Sequence, residues 1–128
     1  MAECKAEISI DRSPDDVWKV VRDFGGLANY MPGIDKCELD GDVRTLETMG
    51  IQIKEQLRSL DDDARAITYS VIESPMNLEF HEATIAVTPD GSGSHVLWTC
   101  EVRPDQMSAI FQGAYDGGVT GIKNAVEG

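Results

Sequence analysis

Few residues in this sequence combine the chemistry and the placement that catalysis or ligand binding demands, and Glu55 comes first. It lies in a run where Ile51, Ile53, Glu55 and Leu57 share one face of a strand and Gln52, Lys54, Gln56 and Arg58 share the other. A carboxyl on an apolar face suits general acid/base work or the anchoring of a ligand. Unpaired burial would cost on the order of several kcal/mol, so such a group needs a partner or water. The alternative is a strand-end glutamate that reaches solvent or a nearby base such as Lys36 or Arg44. Tyr69 repeats the odd-numbered face on the next strand, where its hydroxyl could donate to Glu55 or to a substrate carbonyl. It reads equally as a core aromatic with a wet tip. Glu82 adds a second acid beside Phe80 and Thr84 if the first half of its strand keeps register, and otherwise faces solvent.

Other combinations fail on spacing. His81-Glu82 lacks the second histidine of a helical zinc motif, since position 85 is Ile, and neighbours in a strand point to opposite faces. His95 sits beside a glycine turn as an ordinary loop histidine. Gly91-Ser92-Gly93 has no third glycine and no following helix to hold phosphate, so it reads as a hairpin turn. Ser13, Ser70 and Ser108 stand in no nucleophile-elbow sequence. Cys4, Cys37 and Cys100 are odd in number and widely spaced, which suits buried free thiols better than a disulfide framework or a zinc ribbon. No metal or other cofactor is expected.

The elements that must position these groups are legible. Ser13 caps a helix over residues 14 to 24, with Pro14 at its first position, Asp15 and Asp16 at the positive dipole end, and Val17, Val20, Val21 and Phe24 at helical spacing. Before it, residues 5 to 10 alternate as a short strand. After it, residues 27 to 30 make one more turn before Pro32-Gly33. From residue 34 to 103, turn signals at Asp40-Gly41-Asp42, Gly50, Asp61-Asp62-Asp63, Ser74-Pro75 and Asp90-Gly91-Ser92-Gly93 divide the chain into six more strands. A three-residue turn at Asp61 to Asp63 predicts Glu55 opposite Tyr69 and Leu57 opposite Ile67, and another turn length would shift the pair to a diagonal. In the strand over residues 78 to 88, the apolar face switches from Leu78, Phe80 and Glu82 to Ala83, Ile85 and Val87, which predicts a bend or bulge near Glu82. The strand at residues 94 to 103 leaves its inward face open. A closing helix follows Pro104, with a stripe from Met107 to Val126 that includes Phe111 and Tyr115. Gly117-Gly118 predicts a kink or fraying there.

Composition sets the outer bounds. The chain has 128 residues, enough for one domain with a real core, and no apolar run approaches the roughly 20 residues of a membrane span. Its formal charge of -12 opposes nucleic-acid phosphate and anionic lipid at long range. Stable membrane insertion and nucleic acid are therefore not expected. The first residues lack the basic-then-apolar order of a secretory signal, which points to the cytoplasm.

Strand, helix pair, six antiparallel strands and a final helix bury their apolar faces together only if the sheet curls around that helix. This order, with Ser13-Pro14-Asp15-Asp16-Val17-Trp18, Asp23-Phe24-Gly25-Gly26-Leu27, Met31-Pro32-Gly33-Ile34, Glu55-Gln56-Leu57 and Gly93-Ser94-His95-Val96-Leu97-Trp98, resembles the START-like, helix-grip (SRPBCC) superfamily, specifically its polyketide cyclase/dehydrase group. The resemblance covers nearly the whole chain. It implies an α+β helix-grip domain over residues 1 to 128, with a curved antiparallel sheet of about seven strands wrapped around the C-terminal helix and two short helices after the first strand. It also implies a hydrophobic cavity between sheet and helix, used in different members for lipids, polyketides, hormones or quinones, or for ring closure and dehydration. The acid at the position of Glu55 points into that cavity in hormone-binding members. The short, glycine-rich closing helix departs from longer members and weakens the expected lid.

Three functions follow as expectations. The first is binding of a small, mostly apolar molecule, lipid- or polyketide-like, by Glu55, Tyr69, Phe80, Glu82, Trp98, Phe111 and Tyr115. The second is a cyclase or dehydratase in which Glu55 shuttles a proton and Tyr69 polarises a carbonyl. The third is a protein-interaction role for the loops around Gly25-Gly26 and Ser74-Pro75-Met76. A homodimer is left open.

Overall fold

The computed structural model describes residues 2–128. Seven antiparallel strands form one sheet in the order β1-β7-β6-β5-β4-β3-β2. They are β1 (Ala2–Ile10), β2 (Ile34–Asp40), β3 (Val43–Thr48), β4 (Ile51–Asp61), β5 (Ala66–Glu73), β6 (Phe80–Asp90) and β7 (Gly93–Arg103). The first helix, α1 (Pro14–Val21), starts where Ser13 Oγ accepts the Asp16 amide at 3.2 Å. It ends three residues earlier than its apolar periodicity suggests, because Phe24 opens a separate 3₁₀ segment, Phe24–Asn29. The second helix, α2 (Ser108–Glu127), lies on the concave face and beside edge strand β1. There Gln112 covers the strand edge: its Oε1 accepts the Lys5 amide at 3.0 Å and its Nε2 donates to the Lys5 carbonyl at 2.7 Å.

The core lies between α1, α2 and the concave face. Alternation puts Val96, Trp98, Cys100 and Val102 of β7 inward, all at 3% exposure or less, which resolves the face that pattern left open. The stacking of Trp98 on Tyr115 of α2, with centroids 4.6 Å apart and planes 14° from parallel, ties sheet to helix.

Three sequence expectations need correction. First, β6 has no bulge near Glu82. It pairs with β7 without a break from Phe80↔Arg103 to Asp90↔Gly93, and its inward face is His81, Ala83, Ile85 and Val87 throughout. Phe80 is 40% exposed and Glu82 lies on the outer face. The pattern misled because a polar residue, His81, occupies the inward position while Phe80 does not. Second, the irregularities fall in the β4–β5 pairing, where Ile72 of β5 has no partner between Lys54 and Glu55 and Arg58 of β4 has none between Leu57 and Ser59. They set Leu57 opposite Tyr69 and Glu55 opposite Val71. Glu55 is therefore diagonal to Tyr69, still on the same face. Third, α2 runs unbroken from Ser108 to Glu127. Its glycines serve close packing: a Cβ on Gly118 would lie 2.5 Å from Trp98 Cζ3, and one on Gly121 would collide with the Tyr30 carbonyl oxygen. Those contacts offset the helix propensity that the glycines forfeit.

Candidate functional site

The site begins with a hairpin. Met49 and Gly50, both with positive φ (50° and 78°), form the two-residue turn that joins β3 to β4 with Thr48 opposite Ile51. Register from that turn sets Arg44 opposite Glu55, and cross-strand partners share a face. Both side chains are buried, at 3% and 6% exposure. Arg44 Nε donates to Glu55 Oε1 at 2.8 Å and Nη2 reaches the same oxygen at 2.7 Å. Arg44 Nη1 donates to the Phe24 carbonyl at 3.0 Å, so the 3₁₀ segment supplies the third contact. The guanidinium also lies over two rings, 4.0 Å from the Phe24 centroid and 4.7 Å from that of Tyr69. Burial works against its charge, but Glu55, Tyr69 and Tyr30 raise its pKa on balance, so it stays protonated. Glu55 is thus half of a buried, hydrogen-bonded ion pair rather than an isolated acid among carbons. Lys36, the other base near enough in sequence, pairs with Glu38 on the surface at 2.9 Å.

Behind this pair stands a polar cluster. Trp98 Nε1 donates to Tyr69 Oη at 3.0 Å. The Val71 amide donates to His81 Nδ1 at 3.1 Å, and His81 Nε2 lies 2.9 Å from Tyr115 Oη. The His81 ring is flanked by Phe111 and Tyr69, at centroid distances of 4.8 and 6.0 Å. Burial, with a smaller push from the Arg44 charge, lowers the pKa of His81 to about 4, so the imidazole is neutral. Burial likewise raises Tyr69 and Tyr115 well above the ordinary phenol value, and Tyr30 to about 12. These hydroxyls stay protonated at any physiological pH.

In front of the cluster opens a cavity of about 330 Å³ between the sheet and α2. Arg44, Glu55, Tyr69, Trp98 and Tyr115 form its buried end; Leu27, Leu46, Ile53 and Phe111 line its walls. Met31, Pro32, Met49, Met76 and Ile110 ring the outer part, where Met49 is 82% and Ile110 53% exposed. Five residues singled out from sequence, Glu55, Tyr69, Trp98, Phe111 and Tyr115, meet at this cavity. Phe80 and Glu82 do not, since their β6 positions face outward. The sequence offered Arg44 only as a base that a solvent-reaching Glu55 could meet, and gave His81 no place in the site. Arg44 was within reach of the sequence, because equal counting outward from a Met49-Gly50 turn sets it against Glu55. His81 carried no comparable signal. Among the described residues, no group of three or more His, Cys, Asp or Glu side chains could hold a metal ion, and no helix is long and apolar enough to cross a membrane.

A curved antiparallel sheet gripping a C-terminal helix, with an apolar cavity between them, defines a helix-grip cavity protein. The chain belongs to the family described as polyketide cyclase / dehydrase and lipid transport, whose model matches residues 1–127. Among solved structures it is similar to the protein XoxI from Bacillus cereus, with 28% identity over 99% of this chain and 96% of that one and a TM-score of 0.92. A protein from Bacillus thuringiensis is 25% identical over 99% of this chain and 100% of that one, with a TM-score of 0.88. A norcoclaurine synthase mutant from Thalictrum flavum, in complex with a transition-state analogue, shares the fold at 20% identity and a TM-score of 0.75, covering 98% of this chain and 93% of that one. Comparison with curated proteins gives no match.

Proposed function

We propose that this protein binds a small, mostly apolar molecule in the cavity between the sheet and α2, oriented at the buried end by Glu55 and Tyr69. The observation that carries the reading is the cavity's division: apolar walls lead to a closed end bearing the Arg44–Glu55 pair and the Tyr69 hydroxyl. Ligand sites have this character, apolar overall with a few placed polar groups. Size narrows the class. A cavity of about 150 Å³ admits benzene, so about 330 Å³ suits one or two rings better than a long acyl chain. Both Arg44 contacts fall on Oε1, which leaves Glu55 Oε2 as the acceptor for a ligand hydroxyl.

Native mass spectrometry of freshly purified protein tests the reading together with a blocked cavity. Retention of a bicyclic-sized molecule by the wild type, lost in Ala114→Trp, is expected. An unliganded wild type that also binds no added bicyclic compound would remove it.

A second reading, a cyclase or dehydratase, is favoured by Glu55 and Tyr69 lining one cavity, since proton transfer and carbonyl polarisation need two groups on one substrate. Glu55→Gln separates the two. Loss of turnover with ligand affinity kept would put the enzyme first.

A further inference from the structure

The sheet separates the three cysteines into a pair and a single thiol. Cys37 lies on β2, at one edge, whereas Cys4 on β1 and Cys100 on β7 occupy neighbouring strands at the other. Register sets Cys4 directly opposite Cys100, in a ladder that runs without a break from Ala2↔Val102 to Ile10↔Ser94. Opposed residues share a face, and both thiols point inward, at 2% and 3% exposure. Their separation follows from the next residue along. Lys5 turns its N–H and its carbonyl outward to Gln112 of α2, so Cys4 turns both of its own towards β7. Cys4 and Cys100 are therefore a hydrogen-bonded pair, the kind whose Cα atoms stand about 5.5 Å apart, and a disulfide bridges that span. In the dithiol form Cys4 Sγ donates a weak bond to the Ser108 carbonyl at 3.2 Å.

We propose that Cys4 and Cys100 form a redox-active dithiol, which a low-molecular-weight disulfide such as glutathione disulfide closes into a reversible covalent staple between β1 and β7. The reaction balances as two exchanges. The Cys4 thiolate attacks one sulfur of the small disulfide and expels a thiolate, which takes up the proton that Cys4 lost; the Cys100 thiolate then attacks Cys4 Sγ and expels the second thiolate, protonated in the same way. Two protein thiols are oxidised, and one small disulfide is reduced to two thiols. Position sets the order. An edge strand lifts locally at lower cost than an interior one, so Cys4 meets the reagent first, while Cys100 lies inside the sheet between β1 and β6. Burial also pushes the Cys100 thiol up to about 12, with Cys4 adding to the rise, which keeps Cys100 inert until attack is intramolecular. Closure gives up the Cys4 bond to Ser108 and encloses residues 4–100 in one covalent loop, which restricts the unfolded chain. The oxidised protein is the more stable form.

The test incubates the folded Cys37→Ser protein, which keeps the pair and lacks the third thiol, with glutathione disulfide. Unfolding in an alkylating reagent and peptide mass spectrometry then read every cysteine. The expected product has lost two hydrogen atoms, carries a peptide link from Cys4 to Cys100 and takes up no alkyl group. Its urea midpoint lies above that of the reduced protein, and dithiothreitol reverses both changes. With Cys100→Ser added, glutathione should remain on Cys4; with Cys4→Ser added, Cys100 should stay unmodified. Two alkylated thiols after incubation, or glutathione retained on either cysteine of the intact pair, would overturn the dithiol, and the same mapping of the wild type needs no variant to fold. A Cys4–Cys100 link that left the urea midpoint unchanged or lower would overturn the staple, and glutathione on Cys100 in the Cys4→Ser protein would overturn the order of attack.

Discussion

The Arg44–Glu55 pair makes the sharpest prediction, because both charges are buried and each has a counted set of partners. Replacing Arg44 with Met keeps volume and apolar packing but leaves the Glu55 carboxylate buried at 6% exposure without its cation. Breaking a buried pair in this way costs about 3–5 kcal/mol. The Phe24 carbonyl, which accepts from Nη1 at 3.0 Å, loses its donor, for a further 1 kcal/mol or so. The stacking over Phe24 and Tyr69 goes too. Glu55→Gln should be milder, about 1–3 kcal/mol, because its amide oxygen can still accept from the guanidinium. The double variant Arg44→Met/Glu55→Leu removes both charges and should recover most of the loss, with a coupling energy of about 2 kcal/mol or more. Urea unfolding midpoints of the wild type, Arg44→Met, Glu55→Leu and the double variant, followed by far-UV circular dichroism at pH 7, close the cycle, with Glu55→Gln measured beside them. A loss below about 1 kcal/mol for Arg44→Met, or strictly additive single effects, would refute the claim that these charges depend on each other.

Three further outcomes follow from the same geometry. The pKa of His81 is lowered to about 4 in the folded protein, against about 6.5 unfolded, so its contribution is complete above pH 6.5 and is lost as pH falls towards 4. Between pH 7 and pH 5 the wild type should therefore lose about 2 kcal/mol more than His81→Phe in parallel urea titrations; equal losses would contradict a buried neutral imidazole. Gly113 has open space where a Cβ would go, so Gly113→Ala should raise the melting temperature slightly by improving helix propensity. Gly118→Ala and Gly121→Ala, which drive a methyl into Trp98 and the Tyr30 carbonyl, should lower it by several degrees, and tolerance of both would argue against this docking of α2. Because Phe80 and Glu82 face outward, Phe80→Ser and Glu82→Gln should leave tetralin affinity unchanged in a fluorescence titration of Trp98, and a loss in either would return β6 to the other register.

The sequence alone determined the elements whose signals are local. A Ser-Pro-Asp-Asp start, the glycine turns at Gly41, Gly50 and Gly91 and strict alternation from Ile51 to Leu57 each act within a few residues, and those segments form where that chemistry places them. It likewise carried Glu55 and Tyr69 onto one concave face, because both lie in the regular stretch between the two irregularities, where Glu55 pairs with Val71 and Leu57 with Tyr69 and alternation holds on each strand. Tertiary structure decided the rest, for reasons no single segment contains. His81 faces inward because Val71, Tyr115 and two aromatic rings from other elements satisfy a neutral imidazole, whereas polarity alone sends it outward. Arg44 and Glu55 are tolerated in the interior because a neighbouring strand and the 3₁₀ segment bring the opposite charge and a carbonyl to the same point. The glycines of α2, unfavourable in an isolated helix, become the places where Trp98 and Tyr30 approach its backbone, and that contact exists only once sheet and helix have met.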